Sequence, residues 1–274
     1  MTPAVKEFRT VLICDNTWLI EQKTIYSQTL MYLLSGTEKS LLIDTGMPTR
    51  APFGELVGSL TNLPVEAAVT HGHFDHIGNA ELWPRVWLHE RDAETAAAHA
   101  DRNFLAEILA GELPPILFRL LRGIAEKLIE VKAPREYAHF GDGHVFNLGG
   151  REIEVIPTPG HTPGSVCFLD RARGLIFSGD SCCDWGILLH MPQSLGAETY
   201  MASAKRLLEL QKAGAFARNY PGHHGYPADK DCPRMYAECA EGIVKGSIKP
   251  AYNRFKSRYE AKHEKILITL PHFL

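Results

Sequence analysis

The sequence lacks the features that mark membrane, secreted and nucleic-acid-binding proteins. No stretch reaches the roughly 18 consecutive apolar residues that a transmembrane helix needs. The first twenty residues contain no uninterrupted apolar core of the kind found in a secretory signal. No run of lysine or arginine offers a surface for nucleic acid, and the net charge is -3. We therefore expect a cytoplasmic protein that binds neither membrane nor nucleic acid.

Cysteine pairs of the CxxC type are also missing, which argues against a structural zinc knuckle. The cysteines are Cys14, Cys167, Cys182, Cys183, Cys232 and Cys239. Because there is no export signal, we expect them to be reduced and mostly buried. Cys182 and Cys183 follow shortly after Asp180, and two interpretations stay open for them: packing residues, or part of a substrate-binding wall.

Strands and helices alternate along the whole chain of 274 residues, 45% of which are hydrophobic. Apolar runs at 28–34, 40–44, 64–69 and 84–89 predict strands, and so do later runs that end near residues 158, 170 and 180. Two strand–turn–strand units end in Asp44 and Asp180, which suggests a duplicated architecture. No linker or charge block divides the chain, so we expect one layered α/β domain over residues 1–274.

Two regions have helical patterns, an insert at about 90–130 and a C-terminal segment at about 229–262. The apolar face of the insert is wider than a helix on a single sheet requires. It contains Phe104, Leu105, Ile108, Leu109, Phe118 and Leu121. We expect this face to line a pocket and to contribute a homodimer contact. Simple packing of the helices on each other and on the sheet is the alternative.

The densest group of metal-binding side chains lies in the segment THGHFDH, directly after the predicted strand at 64–69. Within six residues it contains His71, His73, Asp75 and His76. Imidazole and carboxylate are ligands that zinc prefers, and a catalytic zinc keeps one position for water. Four ligands around one ion would leave no such position. The segment therefore favours two metal ions over one, with further ligands from elsewhere in the chain.

Three more candidate ligands stand at the ends of other predicted strands. His161 lies in TPGHTPGS, Asp180 ends LIFSGD, and His223 lies in PGHHG, with His224 as a neighbouring alternative. Each alone has an ordinary explanation as a turn residue or a hydrogen-bonded histidine. Functional residues of α/β folds collect on loops at strand ends, and four loops of the same design favour a shared site.

These motifs, in this order, resemble the metallo-β-lactamase fold superfamily over about residues 30–225. The resemblance implies a four-layer αββα sandwich with a metal site at one edge. It implies that Asp180 bridges two ions, that Asp44 of LLIDTG orients a ligand histidine, and that the ions are two Zn²⁺, with Fe or Mn as alternatives. The implied ligands are His71, His73 and His161 for one ion and Asp75, His76 and His223 for the other.

The expected activity is that of a binuclear zinc hydrolase. Two metals can hold a bridging hydroxide at neutral pH and polarise the bond that it attacks. We expect Asp75 to pass a proton to the leaving group. The expected substrate is a small organic molecule with an ester-like, thioester or lactone bond, because no subfamily pattern narrows it. The alternatives are a mononuclear iron dioxygenase of the persulfide type and a nonenzymatic binding or signalling protein on the same scaffold.

Overall fold

A computed structural model describes residues 7–24, 27–105, 131, 134 and 136–271 of the chain. In this part of the chain, three β-sheets pack with short and medium helices. The α-helices are α1 (Phe53–Leu60), α2 (Phe74–Ile77), α3 (Ala93–Ala100), α4 (Ala197–Lys212) and α5 (Cys232–Val244). None of the helices described is long and apolar enough to cross a membrane.

The first sheet has seven strands that follow one another in chain order. They are β1 (Phe8–Cys14), β2 (Thr17–Lys23), β3 (Gln28–Ser35), β4 (Ser40–Ile43), β5 (Val65–Ala68), β6 (Val86–His89) and β7 (Ala138–Phe140). Strands β1 to β4 are antiparallel, and β4 to β7 pair in parallel. The carboxyl ends of parallel strands meet at one edge. Asp44, after β4, and the histidine-rich loop after β5 therefore lie at the same edge.

The second sheet carries the other candidate ligands to a single edge by the same principle. Its strands are β8 (Val145–Asn147), β9 (Glu152–Pro157), β10 (Val166–Asp170), β11 (Leu175–Gly179) and β13 (Arg218–Pro221). The strand between β11 and β13 in the chain, β12 (Gly186–Leu188), belongs to the third sheet. Strand β11 is parallel to β13, and β9 runs in the same direction because both β9 and β11 are antiparallel to β10. His161, Asp180 and His223 each follow the carboxyl end of one of these strands.

The two sheets face each other across an apolar core that includes the fully buried rings of Tyr32, Phe168 and Phe177. A second core joins the outer face of the first sheet to α1 through Phe53. A third, which includes the fully buried Tyr200, joins the outer face of the second sheet to α4 and α5. The order of layers is helix, sheet, sheet, helix, which confirms the predicted αββα sandwich.

The C-terminal helical prediction for 229–262 is wrong beyond α5. That helix ends at Val244, Gly246 has a positive φ of 73°, and Pro250 precedes the next strand. The chain then forms a small third sheet with the order β12-β16-β15-β14. Its strands are β12 (Gly186–Leu188), β14 (Ala251–Asn253), β15 (Arg258–His263) and β16 (Ile266–Leu270). Packing of Ala261 and Ile268 into the core beside α5 outweighs the helix-favouring composition of this segment.

The predicted helical insert at 90–130 lies only partly within the described residues. Helix α3 occupies its beginning, and Leu105 is buried while Phe104 is half-buried. Ile108, Leu109, Phe118 and Leu121 fall outside the described residues. The pocket-wall and homodimer interpretations of the insert, and the single domain over 1–274, therefore stay predictions.

Candidate metal centre

All seven predicted ligand side chains lie together where the strand ends of the two large sheets meet. The four histidines His71, His73, His76 and His161 are almost completely buried, and His223 is 9% exposed. The carboxylates of Asp75 and Asp180 are 17% and 16% exposed. Seven ionisable groups thus share one small, largely dehydrated space. Six of them form two clusters, each with ligand atoms within 4.8 Å of one another, and a third such group of His71, His76 and Asp180 joins the two.

The first cluster consists of His71, His73 and His161. The Nε2 atoms of all three are buried and have no hydrogen-bond partner among the described residues. His161 Nδ1 lies 2.7 Å from the carbonyl oxygen of Leu188. It must therefore carry the proton and donate it there, which leaves a lone pair on Nε2. Buried polar atoms without a partner are rare and costly, and three converging imidazole nitrogens fit a cation.

The second cluster consists of Asp75, His76 and His223. His76 Nε2 lies 3.2 Å from His223 Nε2, which lies 3.2 Å from Asp75 Oδ2. Both Nδ1 atoms face acceptors, Asp44 Oδ2 at 2.8 Å and the Gln28 carbonyl oxygen at 2.6 Å. In the neutral rings two Nε2 lone pairs then face each other and repel, and in the protonated rings two N–H groups do. Ligands 2.0–2.1 Å from a tetrahedral zinc lie roughly 3.3 Å apart, so a shared ion would fit these separations.

Asp180 lies between the two clusters. Its Oδ1 is 3.4 Å from the Nε2 atoms of both His76 and His223, and its Oδ2 is 3.4 Å from His161 Nε2. One carboxylate therefore contacts histidines of both clusters, each through a different oxygen. This is the geometry expected of a group that bridges two ions.

Asp44 holds the histidine-rich loop in place from the end of β4. Its Oδ1 accepts a hydrogen bond of 2.7 Å from the Thr70 backbone N–H, and its Oδ2 faces His76 Nδ1. The residue has a φ of 62°, a left-handed conformation that aspartate tolerates better than most residues. Asp44 thus sets the tautomer and the orientation of the His76 ring, as the sequence resemblance implied.

The two clusters differ in their affinity for protons. Burial lowers the pKa of His71, His73 and His161, and neighbouring imidazoles lower those of His71 and His73 further. Burial also opposes charge on His223, but Asp180 and Asp75 outweigh it and raise its pKa to about 9. Burial also opposes charge on His76, but the nearby carboxylates, of which Asp44 has the largest effect, raise its pKa. A cation can therefore bind the first cluster without displacing protons, whereas at the second it must displace them.

Gly222 allows the loop after β13 to approach the centre. A Cβ atom there would lie 2.7 Å from Asp180 Oδ1 and 2.8 Å from His76 Cε1. Both distances are too short for real contacts, so a side chain would displace a candidate ligand. Position 222, directly before His223, therefore has room for glycine and for no larger residue.

Asp92 is a residue of the site that the sequence did not reveal. It is completely buried and accepts hydrogen bonds from the Gly72 N–H, from Thr162 Oγ1 at 3.0 Å and from the Gly164 N–H at 2.9 Å. Its carboxylate thereby joins the loop of His71 and His73 to the loop of His161. In the sequence it directly precedes a helical pattern, where an aspartate is ordinary as a cap. No local signal distinguished it.

The neighbouring residues that the sequence left open fall outside the two clusters. His224 is solvent-exposed with a φ of 68°, and its ring lies 5.3 Å from the ring of Trp185. None of the six cysteines is in a disulfide, and five are buried. Cys182 packs in the core beside α4 and α5, and Cys183 is also buried, which favours the packing interpretation for both.

Comparisons with known proteins agree with this fold and site. The sequence model described as the metallo-beta-lactamase superfamily matches residues 25–215. Human acyl-coenzyme A thioesterase MBLAC2 is 30% identical over 204 residues, which are 70% of this chain and 72% of the human protein. The chicken protein of that name is 30% identical over 230 residues, 80% of this chain and 79% of the relative.

A solved structure adds support for the fold alone. A metallo-beta-lactamase family protein from Thermus thermophilus superposes with a TM-score of 0.62 at 23% sequence identity. The match covers 86% of this chain and 83% of the Thermus protein. At that identity, the likeness concerns the arrangement of layers and says nothing of the substrate.

Proposed function

Because this chain belongs to the metallo-beta-lactamase superfamily of metal-dependent hydrolases, we propose that it hydrolyses the thioester bond of an acyl-coenzyme A at a site for two zinc ions. The observation that carries the two-ion proposal is the position of Asp180 between the two ligand clusters. The thioester is supported by the names of the mammalian and avian relatives. Fe or Mn in place of zinc is the alternative for the ions.

In this proposal each cluster holds one ion. His71, His73 and His161 would bind the first, Asp75, His76 and His223 the second, and Asp180 both. Bound ions would supply a polarised thioester carbonyl and a water of lowered pKa. Asp44, Leu188 and Gln28 supply the acceptors that keep three of the histidines in the tautomer that such binding requires.

Asp75 is the residue that we propose to carry a proton between water and the leaving group. Its carboxylate is partly exposed, and its neighbours His76 and His223 hold its pKa below the ordinary value against the effect of burial. It is therefore ionised at neutral pH and can accept a hydrogen bond from a water at the site. Because a thiol has a pKa near 8.5, it can leave as the thiolate and needs little help from a general acid. A thioester consequently demands less of Asp75 as an acid than an oxygen ester would.

The test compares substrates and variants of the metal-loaded protein. We expect about two ions per chain by elemental analysis, and faster hydrolysis of an acyl-coenzyme A than of an oxygen ester or lactone of similar size. Asp180→Ala should lower turnover by roughly two orders of magnitude, and it should also lower the affinity for metal. Asp231→Asn, an exposed aspartate before α5, is the matched control and should change neither.

Two outcomes would contradict the proposal. Near-normal turnover by Asp180→Ala with a full metal content would show that Asp180 does not act at the reaction site. Turnover that requires oxygen would favour the mononuclear iron dioxygenase, so the assay is repeated under anaerobic conditions. The complete second cluster of Asp75, His76 and His223 argues against that alternative, because one ion would leave it empty.

A further inference from the structure

A row of rings and cations leads from the metal centre to the third sheet. The ring of His223 lies 6.1 Å from that of His224, which lies 5.3 Å from that of Trp185. The Nζ atom of Lys256 lies 5.9 Å from the centre of the Trp185 ring. Trp185 is 46% exposed, and His224 and Lys256 are exposed as well. The row is thus an open surface that begins at the candidate metal ligands.

The β14–β15 hairpin at the far end of this row is positively charged. The Arg254 guanidinium lies 5.2 Å from the centre of the Phe255 ring, which is 88% exposed. A cavity of about 720 Å³ beside the hairpin is lined by Lys249, Arg254 and Lys262, among others. Its one acidic residue, Glu260, is paired with Arg258 at 3.2 Å.

Among the described residues, no carboxylate lies within salt-bridge distance of these cations, and Glu260 acts on Lys256 only at longer range. Within the described part of the chain, Lys249, Arg254, Lys256 and Lys262 form no salt bridge, whereas many other basic side chains do. A single exposed ring is ordinary on a protein surface, but here the exposed rings of Tyr252 and Phe255 line one cavity, and the exposed ring of Trp185 lies beside Lys256. Exposed rings next to uncompensated cations fit a ligand that has both a flat base and phosphate groups.

We propose that Trp185, Arg254, Phe255 and Lys256, here named the hairpin surface, bind the phosphorylated nucleotide of coenzyme A while the thioester lies at the metal centre. The inference rests on the proposed function. Arg254 and Lys256 would contact the phosphates, Phe255 the adenine, and Trp185 the pantetheine arm that passes between surface and site. The charges are complementary, because coenzyme A carries a pyrophosphate and a 3′-phosphate.

The length of the pantetheine arm agrees with this placement. About a dozen bonds separate the sulfur from the first phosphate, as many as in the backbone of four residues, which spans roughly 13–14 Å when extended. The row from His223 to Lys256 consists of three steps of 5.3 to 6.1 Å that need not be collinear. A substrate with its thioester beside His223 can place its phosphates at the hairpin surface where the row bends enough to bring its two ends within this reach.

The experiment compares two thioesters of the same acyl group, one of coenzyme A and one of N-acetylcysteamine, which lacks the nucleotide. In the metal-loaded full chain, we expect the double variant Arg254→Ala/Lys256→Ala to lower kcat/KM for the coenzyme A thioester about 100-fold, mainly through KM. The factor of 100 corresponds to the loss of two hydrogen bonds to charged groups, each worth about tenfold in kcat/KM. Hydrolysis of the N-acetylcysteamine thioester should change less than about twofold, since its binding does not involve these cations.

Arg171→Ala is the matched control. It removes an exposed arginine from the turn between β10 and β11, at the end of the second sheet opposite Asp180. It should leave both thioesters unaffected. A second readout does not depend on turnover: adenosine 3′,5′-bisphosphate should bind the wild-type protein in calorimetry and lose affinity about 100-fold in the double variant.

The outcomes separate this inference from the proposed function. If the double variant hydrolyses both thioesters and binds the bisphosphate as the wild type does, the hairpin surface does not bind the nucleotide, although the thioesterase proposal stands. If the wild type hydrolyses neither thioester, the proposed function is wrong. An equal decrease in kcat/KM for both thioesters would overturn the inference too, because it would mean that the double variant disturbs the metal centre.

Discussion

Asp92 is a single carboxylate that joins two of the loops carrying candidate ligands. Replacing it by asparagine keeps the size but turns one acceptor oxygen into an NH₂ group that faces hydrogen-bond donors. We expect Asp92→Asn to lower the free energy of unfolding by about 1–3 kcal/mol, the cost of leaving buried donors unsatisfied. Metal affinity should fall about 10–100-fold, as for other outer partners of metal ligands.

Urea unfolding and metal titration measure the two effects of this substitution. Asp142→Asn is the control, because that aspartate is 55% exposed and its pairing with His89 should contribute little. An Asp92→Asn protein with wild-type stability and wild-type metal affinity would show that the two loops hold their positions without this carboxylate.

At the scale of elements, Arg151 ties the second sheet to the first. From the start of β9 its Nε donates to Asp170 Oδ2 at 2.9 Å, and its Nη atoms reach the Asn16 carbonyl at 2.9 Å and Thr17 Oγ1 at 2.8 Å. Both charged groups are buried. One guanidinium thus connects strand β10 of the second sheet with the β1–β2 turn of the first.

Removing this guanidinium should destabilise the packing of the two sheets. We expect Arg151→Met to lower the free energy of unfolding by about 3–5 kcal/mol, because it leaves Asp170 buried without its main partner. The double variant Arg151→Met/Asp170→Asn should lose less than the sum of the single variants in a double-mutant cycle. Strict additivity in urea unfolding would show that the two side chains do not interact energetically.

Elements differ in how well the sequence predicted them, because some are determined by their own residues and others by contacts with distant parts of the chain. Strands β5, β9, β11 and β13 are short segments that precede glycine and ligand-type residues, and all but β13 are largely apolar or alternate apolar with polar residues. Both the strands and the function of the residues that follow them could therefore be predicted locally. The third sheet could not, since alanine, lysine and glutamate in Arg258–His263 also suit a helix. Its conformation is decided by contacts with α5 and with the distant strand β12.

The same distinction explains the residues of the candidate site. The seven candidate ligands are chemically distinctive side chains at strand ends, so that pattern and resemblance were sufficient to propose them. Asp92 acts through hydrogen bonds to loops 20 and 70 residues away in the chain. Only the packed structure brings those loops together, and no spacing within the sequence could have indicated it.

For the whole molecule, we expect removal of metal to lower stability without abolishing the fold. Three apolar cores hold the layers together, and none of them contains a candidate ligand. A ligand that binds only the folded state stabilises it by about 4 kcal/mol when present at 1,000 times its Kd. Chelation should therefore lower Tm by several degrees while the far-UV circular dichroism at 20 °C stays unchanged.

Restoring zinc should restore Tm, and Asp180→Ala should show a smaller response to the chelator because it starts with weaker metal binding. Loss of the far-UV signal on chelation would mean that the cores alone cannot hold the fold. A Tm unaffected by the chelator would argue that the two clusters bind no ion in the folded protein.

Each of the two clusters takes its members from both large sheets. The loop after β5 supplies His71 and His73 to one and Asp75 and His76 to the other, while His161 and His223 come from the second sheet. Neither half of the chain therefore holds a complete cluster, and we expect a half-folded chain to bind an ion more weakly than the folded protein. We therefore expect tight metal binding only after the two halves have docked. A misassembled chain should then be recognisable by its reduced metal content.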